Sequence, residues 1–199
     1  MNQNRVLGAI FAQGLLGPGV TPRRLAEALE LDRKELDSKL RALKTTGYIG
    51  VQGGRISLTA KGRRRIKVVF IGGGFEIIHT GHLYTLDQAK KLGDVLVAVV
   101  ARDSTIRRRK GREPISPEKD RAALLSALRQ VDVALLGVEG NIYEMLEKVR
   151  PDVVALGYDQ YHAESEIVKE ASRRGLKVTV VRLDSPDTSI KTTRLLQDF

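Results

Sequence analysis

The sequence predicts an α/β protein: a doubly wound parallel sheet with helices on both faces, preceded by a smaller unit of helices and one β-hairpin. Three observations lead there. From residue 67 onward, short β-branched runs alternate with helical segments, the pattern of apolar strands covered on both faces. Residues before 60 have a different periodicity, with three helical stretches and then two short strands around Gly53-Gly54. Charge is also divided unevenly. Residues 1–65 hold 13 Lys and Arg against 5 Asp and Glu, whereas residues 66–199 hold 21 against 19.

The bulk composition limits the function classes. A hydrophobic content of 42% and a charged content of 29% over 199 residues are those of a globular protein with a real core. There is no cysteine, which excludes disulfides and thiolate metal sites and points to a reducing compartment. The opening "MNQNRVLGAIFAQGLLGPGV" is too interrupted for a membrane span and lacks a basic leader pattern. The expected location is cytoplasmic, with no membrane partner.

In the N-terminal unit, Val6, Ile10, Phe11 and Leu15 recur at helical spacing over residues 3–15, and Gly17-Pro18-Gly19 ends that run. Thr21 before Pro22 reads as an N-cap opening a second helix. Asp32, with Glu35 three residues on, reads as a capping box opening a third, which Gly47 closes. "YIGVQGGRISLTAKG" then forms a hairpin turning at Gly53-Gly54. Leu25, Leu29, Leu31, Leu36, Leu40 and Leu43 are the candidate core. "TAKGRRRIK", residues 59–67, is the expected linker, so the domains are expected at 1–62 and 66–199. In the second domain the strand candidates are 67–71, 95–100, 131–136, 153–156 and 178–181, with helical stretches at 81–92, 117–129, 141–149 and 163–174. This is a Rossmann-like arrangement, which binds ligands at the carboxyl ends of its strands.

The stretch "GGGFEIIHTGHLYTL", residues 72–86, falls at such an end. His79 and His82 share one face of a helix beginning near Thr80, whose first turn offers free N–H groups and a positive dipole end. Gly72, Gly73, Gly74 and Gly81 let the backbone approach a polyphosphate. Two alternatives stay open at this point: a turn that only packs helix on sheet, or a metal pair. The second lacks ligands, since His162 is the remaining histidine and zinc requires about three or four.

"GGFEIIHTGH" resembles the GTFDxxHxGH signature of the cytidylyltransferase-like nucleotidyltransferases, which transfer a nucleotide monophosphate to a phosphate acceptor with Mg²⁺ and release pyrophosphate. Gly74 stands where the family has threonine, and Glu76 where it has aspartate. "ARDSTIRRRKGREPISPEKDRAALLSALRQVDVALLG" and "DVVALGYDQ" extend the resemblance to archaeal-type FAD synthases, which adenylylate FMN. The N-terminal unit resembles a winged helix-turn-helix domain, in which the third helix enters the DNA major groove.

These resemblances imply site residues. His79 and His82 would stabilise the transition state, assisted by Lys110 and Arg121. Gly73, Gly74, Phe75, Thr80, Gly81, Asp159, Thr192 and Thr193 would bind the nucleotide. Arg107, Lys110, Arg112 and Arg121 would bind acceptor or phosphate, with the basic run read as a loop after the second strand. Lys191 stands where the family's closing motif has serine. Arg33, Lys34, Lys39, Arg41, Lys44 and Arg55 would contact DNA. Structural alternatives accompany each: a solvated charge run, a turn or capping Asp159, a capping Thr192-Thr193 pair, and a helical unit used for packing alone. The expected chemistry is AMP transfer from ATP to FMN, with Mg²⁺ carried by the nucleotide, no resident metal, and a homodimeric assembly. Two rivals are a cytidylyltransferase using CTP and glycerol 3-phosphate, and a nucleotide- or flavin-sensing transcription regulator.

Overall fold

The computed structural model describes residues 2–140 and 143–184. The chain divides into two compact units, Met1–Lys67 and Val68–Phe199.

The first unit contains α1 (Gln3–Leu16), α2 (Pro22–Leu29), α3 (Arg33–Thr45), β1 (Ile49–Gln52), β2 (Arg55–Leu58) and a helical turn, α4 (Ala60–Arg63). The caps act as the sequence implies. Thr21 accepts from the Arg24 N–H at 3.4 Å, and Asp32 accepts from the Glu35 N–H at 2.8 Å. The hairpin turns at Gly53 and Gly54, whose φ values of 55° and 72° suit the two-residue turn that matches strand twist. Leu25, Leu29, Leu36 and Leu43 are buried with Val6, Leu7, Ile10, Ile49 and Ile56. Leu31 and Leu40, expected in the core, are only half-buried. Leu31 lies in the turn between α2 and α3, and Leu40 sits at the edge of the α3 stripe.

The stretch expected as a linker is built into this unit instead. The Thr59 hydroxyl donates to the Gly47 carbonyl at 2.7 Å and accepts from the Gly62 N–H at 3.1 Å. Lys61 donates to the Thr46 carbonyl at 2.9 Å. Gly62 lies so close to Tyr48 that a β-carbon there would stand 2.0 Å from the Tyr48 carbonyl oxygen.

The second unit runs β3 (Val68–Gly73), α5 (Thr80–Lys91), β4 (Val95–Val100), α6 (Asp103–Lys110), α7 (Glu118–Ser126), β5 (Val133–Leu136), α8 (Glu144–Val149), β6 (Val153–Leu156), α9 (Glu164–Arg173) and β7 (Thr179–Arg182). Its five strands are all parallel, in the order β5-β4-β3-β6-β7. Every residue of β4 is buried, as its apolar run requires. Alternate residues of the sheet serve two cores. Leu86, Ala89 and Leu125 pack with Val69, Ile71, Leu96 and Ala98 on one face. Leu146, Ile167 and Ala171 pack with Val154, Leu156 and Phe70 on the other. Successive connections run outward from β3 through β4 to β5, then return to β6 on its opposite side. The strand order therefore reverses between β3 and β6, and that is where doubly wound sheets open a ligand crevice.

Two local expectations change. Gly72 and Gly73 belong to β3, pairing with Val99 and Val100, so the turn starts only at Gly74. The basic run is not a loop: Arg107 to Lys110 form the last turn of α6, which Gly111 closes at φ 66°. Cations at a helix carboxyl end complement its dipole, and glycine tolerates the left-handed residue that ends the helix.

Candidate active site

The crevice is assembled from three segments that follow strands. The first joins β3 to α5. Within it Phe75 adopts φ 50°, a left-handed conformation that is costly for a bulky residue. This turns its ring back beneath the strand end. A β-carbon on Gly73 would stand 2.9 Å from that ring, so any side chain there would force the ring to shift. The Phe75 ring, buried in the core, also lies 5.5 Å from the His82 ring. His79 is the N-cap of α5 and Thr80 its first residue, so the pair stands where the sequence places it, with ring centroids 4.0 Å apart.

Burial lowers the pKa of both imidazoles. His82 is pushed down to about 4 by burial and then by His79, with Asp159 opposing. His79 is lowered by burial, and Asp159 again opposes. Two neutral imidazoles at a helix N-terminus present N–H donors rather than fixed cations, which suits an anion whose charge grows during reaction.

Asp159 comes from the second segment, the turn after β6, so the reversal in strand order brings it to the histidines. Gln160, beside it, was not singled out by sequence reasoning. Its amide donates to the Gly72 carbonyl at 2.6 Å and accepts from the Gly157 N–H at 3.3 Å, tying the β6 turn to the end of β3. Arg182, at the end of β7, secures the same turn through the carbonyls of Gly157, Gln160 and His162 at 3.1, 2.8 and 2.8 Å. Glutamine in a turn carries no sequence signal of this kind; only the crossing of β3 and β6 reveals it.

The third segment is α6 and the chain after it, and here the cations are engaged by protein groups. Glu76 has no exposed side-chain surface. It accepts from Arg112 at 2.8 and 3.2 Å, from the Ile115 N–H at 3.3 Å, and from Lys110. Burial raises its pKa, but Arg112 and Lys110 outweigh that and hold it at about 2. Arg107 pairs with exposed Glu113 at 2.9 Å. Arg121, expected at the phosphate, is 1% exposed and points into the protein. Its guanidinium donates to the carbonyls of Ser116 (3.0 Å), Ala101 (2.9 Å) and Gly74, and to Asp103 at 2.6 Å. It therefore holds the backbone of Gly74, Ala101 and Ser116 in place instead of reaching into the crevice. Asp103 and Glu118 exchange backbone N–H bonds at 2.8 and 3.3 Å, locking the starts of α6 and α7 together.

Gly74 differs from Gly73: a β-carbon there would meet only Ile106, at 4.0 Å. Thr192 and Thr193, with Lys191, lie outside the described residues. Among the described residues no group of three or more His, Asp or Glu side chains is placed to hold a metal ion, and no helix is long and apolar enough to cross a membrane.

Residues 70–197 match the model of a family described as cytidylyltransferase-like. The chain belongs to the cytidylyltransferase-like family. It is accordingly a nucleotidyltransferase. Among curated relatives, the FAD synthase of Pyrococcus abyssi is 50% identical over 124 residues, covering 61% of this chain and 82% of that protein. The FAD synthase of Thermococcus kodakarensis is 42% identical over 144 residues, covering 69% and 96%. Among solved structures, the lipopolysaccharide core biosynthesis protein from Thermoplasma volcanium is 44% identical, with a TM-score of 0.59 over 61% of this chain and 99% of that one. The family match covers the unit that carries the histidine pair and the five-stranded sheet.

Proposed function

We propose that the chain is an FMN adenylyltransferase, transferring AMP from ATP to FMN to form FAD and pyrophosphate. The observation that carries this reading is the His79–His82 pair at the head of α5, at the sheet's switch point, in a chain 50% identical over 124 residues to one FAD synthase and 42% identical over 144 residues to another. An FMN phosphate oxygen bonds to the α-phosphorus of ATP. The bond from that phosphorus to the bridging oxygen breaks, and pyrophosphate leaves with the electron pair. No protein nucleophile takes part, so the chain's contribution is placement and charge stabilisation.

In this reading the N–H groups of Thr80 and Gly81 and the backbone at Gly73 and Gly74 cradle the triphosphate. His79 and His82 donate to the phosphoryl oxygens as charge develops, Asp159 accepts from the nucleotide's base or ribose, and Thr192 and Thr193 add hydroxyls. Lys110 and Arg112 contribute the positive charge left after Glu76 is neutralised. Mg²⁺ travels on the nucleotide phosphates, where it neutralises charge and needs few protein ligands. Incubation with ATP or CTP, each with FMN or glycerol 3-phosphate, tests the assignment. FAD from ATP and FMN is the expected product. CDP-glycerol from CTP would replace it with the cytidylyltransferase reading, and no turnover of any pair would favour a sensing role.

The N-terminal unit supports a second activity. Three helices and a hairpin, with Arg33, Lys34, Arg41 and Lys44 exposed on α3, suit a winged helix-turn-helix that binds DNA. Lys39 is ion-paired with Glu35 at 3.3 Å, and Arg55 donates to the Pro18 carbonyl at 2.7 Å. Arg33 also lies 3.9 Å from Asp37, so exposed Lys34, Arg41 and Lys44 carry most of the proposed contact. Duplex binding should weaken steeply with salt, and Lys34→Ala with Arg41→Ala should flatten that dependence. Salt-independent binding would remove the DNA role. A homodimer, proposed from the resemblance, is read by sedimentation.

A further inference from the structure

The carboxyl ends of β3, β4 and β6 also frame a cavity of about 280 Å³. Its floor is apolar: Phe70, Val99, Val154 and Leu156 from the sheet, closed by Met145 of α8 and Ile167 of α9. Its rim is basic, with Arg102, Arg109 and Lys110. The backbone of Gly72, Gly73 and Gly74 forms one wall, so the cavity shares the strand end that leads to α5, although neither His79 nor His82 lines it. Tyr161 stands at the mouth and is 67% exposed, a large aromatic surface left to solvent. The His162 ring lies against it at 4.1 Å, and the Arg109 guanidinium covers it at 4.4 Å from the ring centroid.

We infer that this cavity holds the isoalloxazine ring of FMN, stacked on Tyr161 in the place that the Arg109 guanidinium occupies, with the FMN phosphate directed along Gly72–Gly74 toward the histidines. The inference rests on the FMN reading above. The chemistry matches in three parts. The dimethylbenzene end of a flavin is apolar and suits the Phe70–Ile167 floor. Its planar face suits an aromatic platform, where a planar cation already sits. Its phosphate suits the basic rim, and Arg109, released from Tyr161, adds its charge there. The polar pyrimidine end of the flavin needs hydrogen-bond partners, and Thr105 and His162 in the lining can supply them. Adenine is left to the Asp159 side of the crevice.

The test compares Tyr161→Ala, Tyr161→Phe and Val138→Trp, the last narrowing the cavity from its half-buried lip. All three are measured by KM for FMN, KM for ATP, and quenching of FMN fluorescence on binding without ATP. A stacked tyrosine quenches flavin emission by electron transfer, and this readout needs no turnover. Tyr161→Ala should raise KM for FMN about tenfold, leave KM for ATP within about twofold, and abolish most of the quenching. Tyr161→Phe should keep affinity within about threefold while losing much of the quenching. Val138→Trp should weaken FMN and not ATP. If the unaltered protein makes FAD but Tyr161→Ala keeps both KM for FMN and the quenching, the cavity assignment fails alone. If Tyr161→Ala weakens ATP instead, the cavity belongs to adenine. If the unaltered protein makes no FAD, the activity fails and this inference with it.

Discussion

Glu76 offers the sharpest energetic test of the site's construction. Its carboxylate is fully enclosed, and its partners are Arg112, Lys110 and the Ile115 N–H. Burial alone would raise its pKa above the ordinary 4.5; the two cations instead hold it at about 2. At about 1.4 kcal/mol for each tenfold change in proton affinity, that difference is worth about 3 kcal/mol of folding free energy at neutral pH. The sign follows from linkage. A depressed carboxyl pKa stabilises the fold above pH 4.5, and that contribution disappears as pH falls toward 2. Glu76→Gln keeps the shape, removes the charge and strands two cations, so urea unfolding at pH 7 should show a loss of about 2–3 kcal/mol. Near pH 3 the difference between wild type and variant should shrink to roughly half. A loss below about 1 kcal/mol at pH 7, or an equal loss at both pH values, would refute the view that Glu76 anchors Lys110 and Arg112.

Arg121→Met should cost about 3–5 kcal/mol in urea unfolding, because it leaves three carbonyls and Asp103 without their buried donor; a cost under about 1 kcal/mol would return Arg121 to the substrate side. His82→Ala should lower kcat about 10²- to 10³-fold with the fold intact by circular dichroism, and near-wild-type turnover would remove His82 from the chemistry. In the free protein, His82 should titrate near 4 by NMR, so it is neutral from pH 6 to 8; a midpoint near 6.5 would contradict its burial. Gly74→Thr should fold normally, since a β-carbon meets only Ile106 at 4.0 Å, and should lower KM for ATP severalfold by restoring a hydroxyl. A destabilised variant would show that the turn depends on glycine.

What could be read from the sequence was whatever periodicity and local spacing encode. The apolar run of β4, the Asp32 and Thr21 caps and the i, i+3 histidines follow from the chain's own neighbours in sequence. The errors arise where a distant partner decides. Gly72 and Gly73 are strand residues because β4 pairs with them, and the Phe75 ring folds back onto Gly73. Residues 107–110 are helical rather than looped because Asp103 and Glu118, fifteen positions apart, fasten the helix start. The 59–67 stretch is held by Gly47, Thr46 and Tyr48, none of which its own composition announces. Gln160 and Arg121 act on carbonyls far along the chain, and no pattern within a window of residues points to them.

The two departures from the family signature can be understood together through charge. A basic run beside a phosphate site suggests an open electrostatic lure, but most of these cations already have protein partners. Arg102 pairs with Glu118 at 3.1 Å, Arg107 with Glu113 at 2.9 Å, Arg121 with Asp103 at 2.6 Å, and Lys110 and Arg112 share Glu76. One carboxylate between two cations leaves a single surplus positive charge. Lys110 and Arg112 keep 40% and 37% of their side-chain surface exposed, so this charge reaches solvent from a fixed position, with Lys110 on the cavity rim. Glutamate rather than aspartate at 76 supplies an extra methylene of reach, enough for one side chain to meet Lys110, Arg112 and the Ile115 N–H at once. Removing Glu76 would thus free positive charge and still impair the site, because preorganised charge stabilises a transition state and mobile charge must first be ordered. In the proposed adenylyltransferase reading, Gly74 leaves room where the family has a hydroxyl, and affinity for the triphosphate would rest more heavily on the α5 N-terminus and on this held surplus.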